Sequence, residues 1–305
     1  MKVAIIDLGT NTFNLLIAVT RKNGNYDLVL KTKIPVKLGQ GGIDKGIIAP
    51  DALKRGMEAL KTHKQTIEEY QVKKYRAFAT SAIRSTSNGV EFVRTVKKKL
   101  GLIIEIIDGK KEAELIFHGV KQISEFKSSY DLIMDIGGGS TEFIIANKNG
   151  IAWSKSYKLG VSRLKEIFKP KDKISDDNII QITNHLDESL QELFDALSKY
   201  RCDRLIGSSG SFDSIVEMIA HQFKNEEEMK RPCATIHKME FKWVYEYLIN
   251  STLNDRINTP GLAKMRADMI VISVVFINYL LKKTGIDKVN RSKFALKEGA
   301  LAQCF

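Results

Sequence analysis

The sequence has no long hydrophobic run. A membrane-crossing helix needs roughly 18 or more consecutive apolar residues, and no such stretch occurs among the 305 residues. No membrane partner is therefore expected. The start, Met1 to Asp7, places a carboxylate within an apolar strand. It has neither the long apolar core nor the small-residue cleavage site of a secretory leader. Cysteine is scarce too. Cys202, Cys233 and Cys304 are scattered, with no disulfide framework and no metal-ligand spacing. The five histidines are equally dispersed. A reduced, cytoplasmic setting is the expectation. Nothing resembles a flexible linker, so any two domains should be joined by packed elements with a cleft between them.

What is present is apolar content and positive charge. At 43% hydrophobic residues, the chain can bury one large core or two ordinary ones. The net charge of +12 points to polyanionic partners. The densest clusters, Lys97–Lys99 and Lys169–Lys173, lack the interleaved aromatics of a single-strand nucleic-acid surface. They read as solvated helix faces, and no specific nucleic acid is expected.

The most informative stretch is Asp131–Glu142. An apolar strand ends in Asp135, the run Gly137, Gly138, Gly139 follows, then Ser140, Thr141 and Glu142, then a second apolar strand. Glycines let main-chain N–H groups approach a ligand with no Cβ in the way. A concave row of amides suits an anion, phosphate above all. The flanking acids would repel bare phosphate, which argues for a shared cation. Mg²⁺ fits, being held typically by one or two carboxylates plus substrate phosphates. A plain β-hairpin with a glycine turn would read the same way. The unit recurs, however, near the N-terminus. Asp7 falls on Asp135, Gly9 on Gly137, Thr12 on Ser140 and Ile17-Ala18 on Ile145-Ala146, without a gap. Two related halves are the economical explanation.

Around these units the pattern is mixed α/β. The first half reads as three strands through Asn25–Lys37, a helix from Pro50 and a strand at Tyr75–Ala79. A polar loop, Thr80–Arg84, follows, then a helix at Gly89–Leu100, a strand at Ile103–Ile107 and a helix opening near Lys111. Ligands bind at the C-terminal ends of strands in open α/β sheets, which places Arg84 to grip phosphate; an ordinary loop arginine is the alternative. Glu112 lies in a first helical turn, where the dipole favours a carboxylate. The same position would let it project into the cleft as a base for water.

The second half completes three strands at Ile151–Tyr157. A helix follows from Val161 to Phe168, a long one spans Ile174–Tyr200, and Leu205-Ile206 is a strand. Gly207–Ser211 is a Gly/Ser turn at a helix start, a ready anion site or simply a capped corner. Residues 223–260 read as charged, helical and peripheral. Met265–Leu281 is an apolar helix, Lys288–Leu296 a strand, and Lys297 opens the last helix.

Duplicated Asp-φ-Gly hairpins in α/β surroundings resemble the actin/sugar-kinase/Hsp70 superfamily. The segments Ala4–Ala18, Ala79–Arg84, Ile106–Val120, Ile133–Glu142, Ile206–Ser211 and Ser292–Leu301 together resemble the exopolyphosphatase/guanosine-pentaphosphate phosphohydrolase family in its short two-domain form. The resemblance implies two actin-like (ribonuclease H-like) domains, α/β with mixed sheets flanked by helices. One would cover residues 1–125 plus the terminal helix at about 297–305, the other residues 126–296. It makes Glu112 the catalytic base and Asp135 and Glu142 the Mg²⁺-associated acids; Asp7, which falls on Asp135 in the repeat, is expected at the same metal. Phosphate contacts would come from Gly9, Thr10, Asn11, Thr12, Arg84, Gly137, Gly138, Gly139, Ser140, Thr141, Ser209, Gly210 and Ser211. The sequence departs from the family at Asn14, where His or Arg is frequent, at Lys111, where an acid is common, and at Lys293, where Asp is usual.

The expected activity is Mg²⁺-dependent release of terminal phosphate from inorganic polyphosphate, whose length rewards distributed lysines. Guanosine pentaphosphate is the alternative substrate. A kinase of the same fold and a non-catalytic guanosine-polyphosphate sensor are less favoured, and a homodimer is compatible with the pattern.

Overall fold

The computed structural model describes residues 1–21 and 25–304; Phe305, the end of the expected terminal helix, lies outside them. The first sheet contains β1 (Lys2–Leu8), β2 (Thr12–Thr20), β3 (Tyr26–Pro35), β4 (Lys74–Ala79) and β5 (Glu105–Ile106). Its order is β3-β2-β1-β4-β5, with β1 to β3 antiparallel and β4 and β5 parallel to β1. The second sheet contains β6 (Tyr130–Ile136), β7 (Thr141–Asn147), β8 (Gly150–Tyr157), β9 (Cys202–Ser208), β10 (Cys233–Ile236) and β11 (Lys288–Ser292). Its order, β10-β11-β9-β6-β7-β8, repeats the first plan and adds β10 as an antiparallel edge. No described helix is long and apolar enough to cross a membrane.

The period-2 alternation of the strands explains how the sheets are joined. In β1, Ala4, Ile6 and Leu8 face a core built with the helices Pro50–Glu69 and Gly89–Leu100, while Val3 and Ile5 face the other way. In β6, Leu132 and Met134 face the core of the second half, and Ile133 faces away from it. The outward faces of both sheets meet in one shared core, filled by the helices Gly109–Val120 and Leu296–Ala302. The helix Gly109–Val120 follows the first sheet but packs on β7 and β8 of the second. The helix Leu296–Ala302 follows the second sheet and packs on β1. Packed elements therefore hold the halves together.

Several local expectations change. Thr80–Arg84 is not a loop throughout, because Ser81–Arg84 closes a helical turn with Arg84 N–H on the Thr80 carbonyl. The long helix divides at Leu190 into Asp176–Ser189 and Gln191–Lys199. The apolar face survives the break, since Leu186, Leu190 and Leu193 all remain buried. The stretch 223–260 is not simply peripheral. It contributes β10, and Phe241, Val244 and Leu248 enter the core. Its charge concealed a short strand in which only Ala234 and Ile236 point inward. The apolar helix begins at Ile270, after a 3₁₀ turn at Lys264–Arg266, and β11 ends at Ser292.

The two shared helices touch main chain to main chain. A Cβ on Gly299 would lie 1.8 Å from the Leu115 carbonyl oxygen, and one on Gly119 2.0 Å from that of Ala295. Neither neighbour is a side chain that could swing away. Gly299→Ala is therefore expected to cost at least roughly 1–3 kcal/mol, as overpacking of a core does. Urea unfolding measures this, and an unchanged midpoint would show that the helices do not bear on each other.

Candidate active site

The two hairpins superimpose in register. Asp7 pairs with Asn14 across β1–β2, and Asp135 pairs with Glu142 across β6–β7. The turns between them face one another. A Cβ on Gly138 would stand 2.7 Å from Asn11 Nδ2 and 2.9 Å from Thr10 Cβ. Only glycine admits so close an approach. Among the described residues, the N–H groups of Thr10, Asn11, Gly138 and Gly139 have no internal partner and are free to donate.

Between the turns lies a cavity of about 240 Å³. It collects Asp7, Gly9, Thr10, Asn11, Thr12, Glu112, Asp135, Gly137, Gly138, Gly139, Ser140, Glu142, Ser209, Gly210 and Ser211. Arg84 lines an adjoining cavity and reaches this one through Glu112. Thr141 lines neither; it is fully buried and donates to the Leu159 carbonyl. Asn11 is partly engaged across the cleft, accepting from Ser162 Oγ at 2.7 Å. Arg163 donates across it to the Ile43 carbonyl and to Ser85 Oγ and so ties the two halves together at that edge.

Each carboxylate is held in a particular way. Glu112, 6% exposed, stands one turn past the capping Asp108 and accepts from Arg84 Nη1 at 2.7 Å. Burial, with Glu142 nearby, raises its pKa well above the usual range, and Arg84 opposes the rise. Glu142 accepts from Ser140 Oγ and Ser156 Oγ, each at 2.6 Å. Burial and the proximity of Asp135 nonetheless push it up to about 7. Asp135 accepts from Ser208 Oγ and Ser209 Oγ at 2.6 Å, and burial raises it too. Burial carries Asp7 to about 6 against the pull of Lys297 and of an Asn14 amide at 3.0 Å. Ser209 pairs with Asp135 from a left-handed backbone conformation, φ +69°. That conformation costs an L-residue roughly 1–2 kcal/mol.

Several lining residues were not evident from the sequence. Lys297 faces both Asp7 and Asp135 from the first turn of the last helix; burial works to lower its pKa, but Glu298 and those two acids outweigh it and raise the value. Lys33, Lys293 and Arg266 add positive charge to the wall, and Asp213 adds negative. The Arg266 guanidinium packs directly on Gly210. A signal for Lys297 existed: a Lys-Glu pair opens both shared helices, Lys111-Glu112 and Lys297-Glu298.

Among the described residues, no three His, Cys, Asp or Glu side chains converge closely enough to ligate an ion by themselves. The donors present suit a hard cation completed by water and phosphate oxygens. Asp135 and Glu142 are adjacent and buried, and hydroxyl donors bond to them without cancelling their charge.

The raised carboxylates have a consequence for stability. Between the ordinary value of 4.5 and about 7, the folded chain keeps a proton on Glu142 that the unfolded chain has released. Stability then falls as pH rises through that window. In chelator, thermal melts are expected to drop across it, and Glu142→Gln should flatten the slope. An identical slope in the variant would contradict the assignment.

Comparison with known proteins agrees with this geometry. The family model "Ppx/GppA phosphatase family" matches residues 17–304. A crystal structure of an exopolyphosphatase from Cytophaga hutchinsonii superimposes with TM-score 0.96 at 36% identity, covering 100% of this chain and 97% of that one. A bifunctional 3-dehydroquinate synthase/phosphatase of Fusobacterium nucleatum is 31% identical over 93% of this chain, which spans 44% of that protein. A guanosine-5'-triphosphate,3'-diphosphate pyrophosphatase of Aliivibrio fischeri is 26% identical over 97% of this chain and 58% of its own length. With a match reaching from the second strand to the last helix, and a structural neighbour that coincides over the whole chain, this protein belongs to the Ppx/GppA phosphatase family.

Proposed function

We infer that the chain hydrolyses the terminal phosphoanhydride of inorganic polyphosphate with the help of Mg²⁺. The observation that carries this reading is Glu112, buried beside Glu142 and bonded to Arg84, yet lining the cavity between two opposed glycine turns. Asp135 and Glu142, with Asp7 across the cleft, would hold the ion. When bound, it would neutralise charge on the phosphoryl oxygens.

The chain's own residues account for the rest. The free amides of Thr10, Asn11, Gly138 and Gly139 cradle the terminal phosphoryl group, because phosphoryl transfer depends mainly on positioning and electrostatics. Glu112 orients a water and takes its proton. The water oxygen bonds to phosphorus, the bridging P–O bond breaks, and its electron pair stays on the shortened chain. Lys33, Lys293, Lys297 and Arg266 line the cavity that receives that chain. The overall charge of +12 favours a long polyanion. Removal of the 5'-terminal phosphate of guanosine pentaphosphate is the second reading, favoured by the name of the Aliivibrio fischeri relative.

Phosphate release from polyphosphate and from guanosine pentaphosphate, side by side, with Mg²⁺ or chelator, tests the reading. Faster release from polyphosphate, lost in chelator, is expected. Glu112→Gln should cut turnover at least about 100-fold, within the range of a general base, and leave substrate binding intact. Near-normal turnover in that variant would remove Glu112 from the mechanism.

A further inference from the structure

A second cavity, about 570 Å³, lies against the first. The two share Ser81 and Ser140. Two side-chain pairs complete the partition between them. Glu112 lines the first cavity and is bonded to Arg84, which lines the second. Glu142 lines the first and is bonded to Ser156, which lines the second. The second cavity is basic: Arg84, Lys110, Lys155 and Lys158 line it, together with Trp153 and several serines. Lys155 is paired with Glu192. Lys110 and Lys158 are exposed and, among the described residues, have no hydrogen-bond or ion-pair partner. The hydrolytic step makes no use of these lysines.

We propose that the second cavity is the exit for the orthophosphate product. The proposal rests on the hydrolase reading above. In an in-line displacement the attacking and leaving oxygens lie on opposite sides of phosphorus. The base stands in the partition, so attack comes from that side and the shortened chain recedes into the first cavity. The released phosphate is then confined between the partition and a chain that still fills the way in. The route that does not displace the chain crosses Arg84 and Ser156 into the basic cavity. A rim of one sign raises the local concentration of the opposite ion, so unpaired lysines there draw a small dianion outward. The chemistry also releases the gate. Once Glu112 has taken the proton from water, it no longer carries the charge that holds Arg84 from that side, and the guanidinium, still bonded to the Ile107 carbonyl and to Ser156 Oγ, is left to pair with the passing phosphate.

The test is the double variant Lys110→Glu/Lys158→Glu in the full chain, assayed on polyphosphate with Mg²⁺. Both positions are exposed, so folding is not at issue. Steady-state kcat should fall roughly tenfold, the low end of such steering effects, with an unchanged single-turnover rate and a KM that falls in parallel, so that kcat/KM is kept. A burst of about one phosphate per active site should precede the slow phase. Ser154→Trp, which narrows the same cavity without altering charge, should give the same burst. A raised KM with unchanged kcat would mean that the lysines hold substrate, and overturns the proposal. Unchanged kinetics in both variants, or equal slowing of single-turnover and steady-state rates, overturns it too. If the unsubstituted protein releases no phosphate from either substrate, the hydrolase reading itself fails and takes the proposal with it.

Discussion

The structure turns on the burial of like charge. Asp7, Glu112, Asp135 and Glu142 line a single cavity between two sheets, and all have raised pKa values. Burying a charge is costly unless it is paired or bonded. Here the compensation is deliberately incomplete: hydroxyls for Asp135 and Glu142, an amide for Asp7, one guanidinium for Glu112. Hydroxyl donors soften the repulsion without cancelling the charge. On the proposed function, a cation would supply what is missing. Perturbed carboxylates grouped in a cleft are where function is most often found.

The two halves share one plan, and the chemistry comes from where they differ. In the same register, the first hairpin sets an amide, Asn14, opposite its aspartate, whereas the second sets a carboxylate, Glu142. Negative charge is therefore concentrated on the second sheet. The shared helices carry the same asymmetry. Glu112 opens one and reaches the cavity, whereas its counterpart Glu298 is turned to the Ala295 N–H and Lys31, leaving Lys297 to face the acids. A symmetric scaffold thereby presents buried carboxylates on one side and a counter-cation on the other.

Rigidity follows from the crossing of those helices. Each packs on the opposite sheet, and Gly119 and Gly299 let them touch backbone to backbone. Glu112 is thus fixed to the second sheet, beside Glu142, although its chain neighbours belong to the first. Arg84 comes from the first sheet's side and closes against it. The partition between the two cavities is consequently built from both halves.

The sequence alone determined a good deal. The repeated Asp-φ-Gly units pointed to two related halves, since strand, acid and glycine turn recur without a gap. Leu132, Ile133 and Met134 form an uninterrupted apolar run, and the structure divides it between two cores. Asp7, Asp135, Glu142 and the glycine turns could be named from local pattern, because strand, turn and acid are adjacent in the chain. Only the tertiary structure decided the rest. Arg266 reaches the cavity from a distant segment with no local signature, and the Lys-Glu pair at Lys297 gains its meaning only once the last helix packs on β1. The turn at Glu112 was equally a helix-dipole carboxylate until folding brought Arg84 and Glu142 to it. Charge in residues 223–260 hid β10, whose pairing with β11 is long-range. Local chemistry is written in neighbouring residues, whereas the mutual approach of distant charges depends on how the helices cross, and that is set by the packing of the whole chain.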